Sequence, residues 1–276
     1  MKTCLGLFSI AIALMISPST SLAQCVFLTT ATEGPTLQTA SGTANRSGVA
    51  WNPASDLYYS VNAGSDTYPI ETFLAAGGAA VSSPAGGISF RGLWWNSALG
   101  QLEGNGHDTT GLRVQDLDAV TGYALGTGTI VYAGQNQPKT QSCGDLDYDA
   151  DEVIYYDNGS IYRYARSNGA ALGNYPLTNN PGNLGDILQY GVVYTGCAGA
   201  EIGIYDYTNR RVYFFDKSDG DYSTTVQVPA TAPQPPSFGF SLANDMIWVF
   251  DGLTRVWHSY VFADPVPVEL MTFVVE

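Results

Sequence analysis

A recurring pattern of short apolar strands and tight polar turns is the feature that most constrains the fold of this chain. Three segments share one template, in which a strand, a polar turn and four apolar residues are followed by Asp: Leu146–Asp157, Ile204–Asp216 and Phe240–Asp251. Two looser copies span Val49–Val61 and Leu93–Asn105. Internal repetition of this kind predicts an architecture of stacked, similar units.

The spacing of the repeats indicates which architecture it is. Steps of 44, 52, 59 and 35 residues separate the equivalent points Val61, Asn105, Asp157, Asp216 and Asp251. A period of about 40–50 residues, rich in β-branched and aromatic residues with Gly, Asn and Asp turns, is typical of four-stranded propeller blades. The sequence therefore predicts an all-β fold, a single β-propeller of five four-stranded antiparallel blades, with six blades as the alternative.

Two finer predictions follow from the same alignment of repeats. Residues Cys25–Ser41 lie outside the five aligned repeats and can supply one or two strands that close the ring against the C-terminal blade. Three apolar runs are each predicted to be the second strand of a separate blade: Val153–Tyr156, Val212–Phe215 and Ile247–Phe250.

One repeat resembles that of a known propeller family. The segment Gly144–Gly169, GDLDYDADEVIYYDNGSIYRYARSNG, is similar to the YWTD/LDL-receptor-type repeat, with Tyr155-Tyr156-Asp157 near the Tyr-Trp-Thr-Asp element and Ile161-Tyr162-Arg163 on the following I-x-R strand. The match is partial around Phe214–Asp216 and Trp248–Asp251. This resemblance implies a propeller and no particular activity, because propellers host enzymes and binding proteins alike.

The N-terminus has the pattern of an export signal. Lys2 is followed by the apolar stretch Leu5–Ile16 and by the A-x-A-like site Ser21-Leu22-Ala23. Twelve apolar residues are too few to cross a hydrocarbon core of about 30 Å, so a signal peptide is predicted over residues 1–23 and a propeller domain over 24–276. The expected location is secreted, periplasmic or cell-surface, with no membrane span.

Charge narrows the range of partners. The chain carries 11 Lys and Arg against 25 Asp and Glu, a formal net charge of −14 with a pI near 4.2. Such an acidic surface argues against nucleic acid or an anionic membrane as the partner.

Cysteine usage predicts one disulfide. Removal of Cys4 with the signal peptide leaves Cys25, Cys143 and Cys197, and an exported protein meets oxidising conditions. Cys143 and Cys197 each lie just ahead of a stretch that the repeat pattern interprets as an inner strand, so Cys143–Cys197 is the preferred pair. Pairing of Cys25 with either of them, and three free thiols, remain open.

Residues for catalysis are few. The chain has two histidines, His107 and His258, and no H-E-x-x-H, G-x-S-x-G or P-loop motif. Glu103, His107 and Asp108 cluster in one stretch, GQLEGNGHDTT, and are the catalytic candidates. The alternative interpretation is an ordinary solvated loop, because Glu-Gly-Asn-Gly-His is also common turn composition.

An alternating acidic stretch raises the question of calcium. Asp145, Asp147 and Asp149 are spaced like the first half of a calcium loop, and oxygen ligands suit Ca²⁺. However, Ala150 stands where that loop needs Gly, and Tyr156 stands where it needs a bidentate acid. Turn chemistry is therefore the favoured interpretation, calcium is the alternative, and no other cofactor is predicted.

The aromatic side chains are the most distinctive feature of the composition. Adjacent pairs such as Tyr58-Tyr59 and Trp94-Trp95 must point to opposite faces of their strands, which packing between blades explains. The functional alternative is an aromatic-lined, acid-rimmed pocket, which suits sugars.

These observations predict a non-enzymatic binding module for a protein or glycan partner. The alternative is an extracytoplasmic enzyme, a glycan-active hydrolase or lyase or a lactonase, that uses acidic residues at the propeller funnel. Three or more inward-facing Asp, Glu or His side chains at one funnel mouth would favour the enzyme, whereas a plugged apolar channel would exclude it.

Overall fold

Strands and tight turns make up almost all of the described chain. The computed structural model describes residues 25–40, 45–181 and 190–265, and the predicted signal peptide lies outside this part. The single helical element in the described residues is the short 3₁₀ turn Asp108–Thr110. No helix in the described ranges is long and apolar enough to cross a membrane.

The strands form five antiparallel groups, numbered here as blades 1 to 5. Blade 1 contains β2 (Arg46–Asn52), β3 (Leu57–Asn62) and β4 (Ile70–Leu74). Blade 2 contains β6 (Trp94–Asn96), β7 (Gln101–Asn105), β8 (Leu112–Leu117) and β9 (Ala124–Tyr132). Blade 3 contains β10 (Gly144–Asp147), β11 (Glu152–Asp157), β12 (Ser160–Ala165) and β13 (Ala171–Pro176).

The remaining strands complete the ring. Blade 4 contains β14 (Val193–Tyr194), β15 (Ile202–Asp206), β16 (Arg211–Phe215) and β17 (Tyr222–Gln227). Blade 5 contains β18 (Phe240–Ala243), β19 (Met246–Asp251), β20 (Val256–Pro265) and, as its outer strand, β1 (Cys25–Gln38). The short strand β5 (Gly78–Ala79) lies parallel to the end of β1, and isolated bridges from Ser82 and Ala85 give blade 1 an irregular fourth edge.

The N-terminal strand β1 closes the ring, as was predicted for the segment Cys25–Ser41. β1 pairs antiparallel with β20 from Cys25 opposite Pro265 to Gln38 opposite Val256, with two register shifts on the way. At Thr30 it also lies parallel to Gln227 of β17, so it joins blade 5 to blade 4. The first and last strands of the described chain are therefore in one blade.

The core is divided among the five interfaces between blades. Each hydrophobic cluster of buried residues contains side chains of two neighbouring blades, and one of them joins blade 5 to blade 1. The innermost strands β2, β6, β10, β14 and β18 contact one another in that cyclic order. The described residues thus form a closed five-bladed propeller, as predicted.

Adjacent aromatic residues divide between two interfaces, as the packing interpretation expected. Tyr58 packs toward blade 5, whereas Tyr59 packs toward blade 2. Phe214 packs toward blade 5, whereas Phe215 packs toward blade 3. Both faces of a blade are buried, so each strand needs apolar side chains on both sides.

One of the three second-strand predictions is wrong. Val153–Tyr156 and Ile247–Phe250 lie in the second strands β11 and β19, but Val212–Phe215 lies in β16, the third strand of blade 4. The short strand Val193–Tyr194 is the innermost strand there, and Ile202–Asp206 is the second. A two-residue inner strand carries too little pattern to be read from the sequence.

The predicted disulfide Cys143–Cys197 is also wrong. Cys25 pairs with Cys197, with Cα atoms 5.5 Å apart, and Cys143 is a buried free thiol. Cys143 precedes the inner strand of blade 3, whereas Cys197 follows the inner strand of blade 4. The two residues therefore lie at opposite ends of the central channel, because Cys197 does not precede an inner strand as the repeat pattern predicted.

Candidate functional site

The central channel opens into a cavity of about 360 Å³ on one face of the propeller. This is the face that carries the hairpin loops between the first and second strands of each blade, and we call the cavity the funnel. All five blades contribute to its lining, which includes Trp51, Trp95, Asp145, Tyr148, Tyr194 and Asp245. Its volume is within the usual range for small-molecule sites.

Aromatic rings form the wall of the funnel. Trp51 and Trp95 are half-buried, and the Tyr148 side chain is 48% exposed. Packing holds two of these rings in place: the Trp51 ring centre is 4.4 Å from that of Tyr58, and Tyr148 meets Tyr194 edge-on at 5.0 Å. The wall therefore offers pre-positioned aromatic surface to a ligand.

The fully buried carboxylate of Glu103 fixes another lining residue, Trp94. Its Oε2 accepts hydrogen bonds from Trp94 Nε1 and Arg166 Nε, both at 3.1 Å, and Oε1 accepts one from Asn96 Nδ2 at 3.2 Å. Arg166 comes from the turn after β12, so this ion pair ties blade 2 to blade 3 beside the funnel.

Asp145 is the acidic group set into the inner-strand part of the funnel. Its Oδ2 accepts the backbone N–H of Tyr194 at 2.8 Å. Burial, with a smaller contribution from neighbouring Asp147, raises the pKa of Asp145 to about 7. A carboxyl group with such a pKa is half-protonated near neutral pH and can donate as well as accept a hydrogen bond.

A network of charged and phenolic groups connects blades 3 and 4 at the rim. Lys217 Nζ lies 3.1 Å from both carboxylate oxygens of Asp147, 2.7 Å from Tyr194 Oη and 4.9 Å from the centre of that ring. The Tyr194 hydroxyl donates to Asp149. Burial and the hydrogen bond to Asp149 raise the pKa of Tyr194, so the phenol stays protonated.

The raised pKa of Asp145 predicts a pH effect on stability. Its folded pKa lies above the unfolded value near 3.9, so its stabilising contribution is fully present below about pH 4 and is lost as the pH rises to 7. Between pH 5 and pH 8, Asp145→Asn is expected to gain about 1–2 kcal/mol in unfolding free energy relative to the unmodified protein. Urea unfolding at both pH values measures this.

The control for that measurement is the same change at an exposed aspartate. Asp56 lies in the hairpin loop of blade 1 with a φ of 59°, a conformation that Asn also tolerates. Asp56→Asn gives the baseline effect of replacing an exposed aspartate, with which the Asp145→Asn difference is compared at each pH. An Asp145→Asn difference that does not change with pH would contradict the assignment.

The structure separates one catalytic candidate, Glu103, from the other two, His107 and Asp108. Glu103 lies near the hairpin face, where its oxygens are occupied by four donors, whereas His107 and Asp108 follow β7 at the opposite face. Four extended residues span about 13 Å along a strand. Burial and nearby Arg91 lower the pKa of His107. A catalytic role for Glu103, His107 and Asp108 stays a prediction, and the fold does not bring them together.

The three aspartates considered for calcium have partners within the protein. Asp147 Oδ1 accepts the backbone N–H groups of Asp149 and Ala150, both at 3.1 Å, which is the favoured turn chemistry. Asp145 is bonded to Tyr194 N–H, and Asp149 receives the Tyr194 hydroxyl. Among the described residues, no group of three His, Cys, Asp or Glu side chains is arranged to hold a metal. Calcium binding stays a prediction.

Sequence reasoning missed Asn244 and Asp245 at the funnel mouth. They form the two-residue turn between β18 and β19, with φ values of 52° and 55°, and both are exposed. The sequence does contain a signal for them. The aligned repeats match this turn to Asp149–Asp151, and both turns lie on the face that bears the funnel. Among the described residues, Asp145 and Asp245 are the acidic residues that line the cavity, which is fewer than the three that would favour an enzyme.

Comparisons with known proteins show the fold. No family model and no curated protein matches the chain. Glutaminyl cyclase from Myxococcus xanthus is similar with a TM-score of 0.54 and 14% identity, over 90% of this chain and all of that one. A chain of a nidogen/laminin complex is similar over 71% of this chain and 67% of that one, with 13% identity and a TM-score of 0.44. BamB from Moraxella catarrhalis is similar over 81% of this chain and 62% of that one, with 14% identity and a TM-score of 0.34.

At such identities the first likeness shows a shared fold alone, and the two lower scores carry no argument. The propeller predicted from the repeats is thereby supported from a second direction. The YWTD type inferred from Gly144–Gly169 stays a prediction.

Proposed function

We propose that the protein is an exported, non-enzymatic module that binds a glycan in the funnel. The observation that carries the proposal is an aromatic wall beside polar groups: Trp51, Trp95 and Tyr148 line the same cavity as Asp145, Asn244 and Asp245. Aromatic faces pack on the apolar face of a sugar ring, while carboxylates and amides bond its hydroxyls. The Cys25–Cys197 disulfide supports an oxidising, extracytoplasmic location.

The shape of the site favours a glycan over a protein as the occupant. A stable protein interface buries about 800 Å² on each partner, whereas the funnel is a concave space of about 360 Å³. A sugar chain end fits such a space and contacts all five blades at once.

Removal of a ring from the aromatic wall is expected to weaken glycan binding. Trp95→Ala and Tyr148→Ala should each weaken the affinity for a neutral oligosaccharide at least tenfold, because each removes a stacking surface. The probes are β-glucan, xylan, chitin and α-glucan oligosaccharides, and the readouts are calorimetry and tryptophan fluorescence, which reports on the funnel directly.

Tyr162→Ala is the matched control, because Tyr162 is a half-buried tyrosine on the third strand of blade 3, away from the funnel. It is expected to leave affinity unchanged. No binding to any probe by the folded protein, or equal binding by Trp95→Ala, would contradict the proposal.

A second candidate function, a glycan-active enzyme, is favoured by one observation. Asp145, with a pKa of about 7, can deliver a proton near neutral pH from inside the funnel. Incubation of any bound oligosaccharide with the protein, followed by chromatography of products, tests this. Cleavage that Asp145→Asn abolishes while binding persists would replace the binding proposal with the enzyme.

A further inference from the structure

The opposite mouth of the central channel holds a second cavity, of about 370 Å³. Its lining comes from segments that enter the inner strands, among them Arg91, Gln141, Tyr190, Ser237 and Phe238. This cavity is independent of the funnel, and nothing in the proposed glycan site uses it.

Arg91 is the unusual residue of this cavity. It is only 4% exposed and, like the buried Arg113, forms no ion pair with any described residue, whereas the buried Arg46 and the half-buried Arg166 pair with Glu71 and Glu103. A buried charge without a counter-charge is costly to hold, so proteins normally pair it.

Hydrogen bonds orient the guanidinium and leave one end of it available. Nε donates to Gln141 Oε1 at 2.7 Å, and Nη1 donates to Ser89 Oγ at 2.9 Å and to the Phe90 carbonyl at 2.8 Å. Nη2 has no hydrogen-bond partner among the described residues, and Arg91 lines the cavity. The neutral partners fix the side chain without neutralising it.

Aromatic rings adjoin the charge. The Arg91 guanidinium lies 5.7 Å from the centre of the Phe238 ring, which in turn stacks on Tyr190 at 5.5 Å. A ligand held by Nη2 therefore meets apolar ring surface as well as charge.

We infer that this cavity binds a small ligand with one carboxylate on an apolar body, and that the carboxylate pairs with Arg91. A guanidinium that has no counter-charge in the described part of the chain matches a single negative charge, and an acidic protein disfavours multiply charged anions. The Phe238 and Tyr190 rings provide the surface for the apolar part.

Benzoate, acetate, inorganic phosphate and chloride at matched ionic strength are the probes, with calorimetry and thermal unfolding as readouts. Benzoate is expected to bind saturably with a dissociation constant on the order of 1 mM, about tenfold more tightly than acetate, and phosphate and chloride more weakly still. Arg91→Gln is expected to weaken benzoate binding at least tenfold. Arg211→Gln, which removes an exposed arginine elsewhere, is the control and should bind normally.

Phe238→Ala keeps the test decisive if Arg91→Gln does not fold. This variant retains the guanidinium and is expected to lose the preference for benzoate over acetate while acetate still binds. The inference is overturned if the unmodified protein shows no saturable carboxylate binding, if phosphate binds as tightly as benzoate, or if Phe238→Ala keeps the full preference. Funnel variants such as Trp95→Ala should not affect benzoate, so the two sites fail separately.

Discussion

Replacing Cys25 and Cys197 with serine is expected to lower the free energy of unfolding by about 2–5 kcal/mol. The bond closes a loop of 172 residues, for which the chain-entropy model gives an upper value of about 5 kcal/mol. It also anchors the start of β1, the strand that closes the ring. For a chain of this size the midpoint of thermal unfolding should fall by about 5–15 °C.

Thiol counting provides the complementary measurement. In a chain that begins at Gln24, alkylation under denaturing conditions without reductant should modify Cys143 alone, and reductant should add Cys25 and Cys197. In the folded protein Cys143 should resist alkylation, because burial raises the pKa of its thiol to about 12. Cys143→Ser is the matched control, since it removes a thiol but no crosslink. A loss of stability as large in this control as in the pair would contradict the crosslink argument.

Blade number and ring closure could be predicted from the sequence because they depend on period and pattern. The second strands of blades 1, 3, 4 and 5 are rich in apolar residues and buried on both faces, and such runs are visible in the sequence, as in Val153–Tyr156 and Ile247–Phe250. The second strand of blade 2, β7, has the more polar sequence QLEGN. The paired aromatics were interpretable for the same reason, since alternation sends Tyr58 and Tyr59 to opposite interfaces whatever the register of the blade.

The register of blade 4 could not be predicted in this way. The polar turn and apolar run after Ile204 resemble an inner hairpin, but in the fold they join the second and third strands. The unequal spacings of the predicted repeats on either side of Asp216, 59 and 35 residues, are the sequence sign that this strand was misassigned. With the true second strands, the end points Asn62, Asn105, Asp157, Asp206 and Asp251 are 43, 52, 49 and 45 residues apart.

The disulfide error has the same origin. Placing Cys197 ahead of an inner strand put it level with Cys143, whereas it lies in the inner hairpin loop on the funnel face. Its true partner depends on the path of β1, which crosses from blade 5 toward blade 4, where the rings of Phe27 and Phe214 are 4.8 Å apart. Strand pairing between residues so distant in the chain leaves no local sequence signal.

The cavities were the least predictable part. In the sequence, Trp51, Trp94 and Trp95 are compatible both with packing between blades and with a ligand pocket. A ring that lines a cavity and a ring in the core have the same local sequence pattern. The structural role of Glu103 also has no signal in the sequence: this catalytic candidate is fully buried and bonded to Trp94, Asn96 and Arg166.

Removing the Glu103 carboxylate is expected to destabilise the protein by about 3–5 kcal/mol. Glu103→Leu leaves the Arg166 guanidinium without its closest acid and leaves Trp94 Nε1 and Asn96 Nδ2 without acceptors in a buried site. Arg166→Met should also destabilise, because the carboxylate then stays buried with neutral donors only. The double variant should cost at least 1 kcal/mol less than the sum of the two, since no unpaired charge remains.

An exposed ion pair provides the comparison. Lys139 pairs with Asp157 but its side chain is 53% exposed, so Lys139→Met is expected to cost less than about 1 kcal/mol. Urea unfolding of all four variants gives the free energies. Because Glu103 holds the Trp94 ring at the funnel, folded Glu103→Leu should also bind the oligosaccharide probe more weakly, while Lys139→Met binds normally. Additive costs in the double variant would show that Glu103 and Arg166 stabilise the two blades independently, and would contradict the pairing described here.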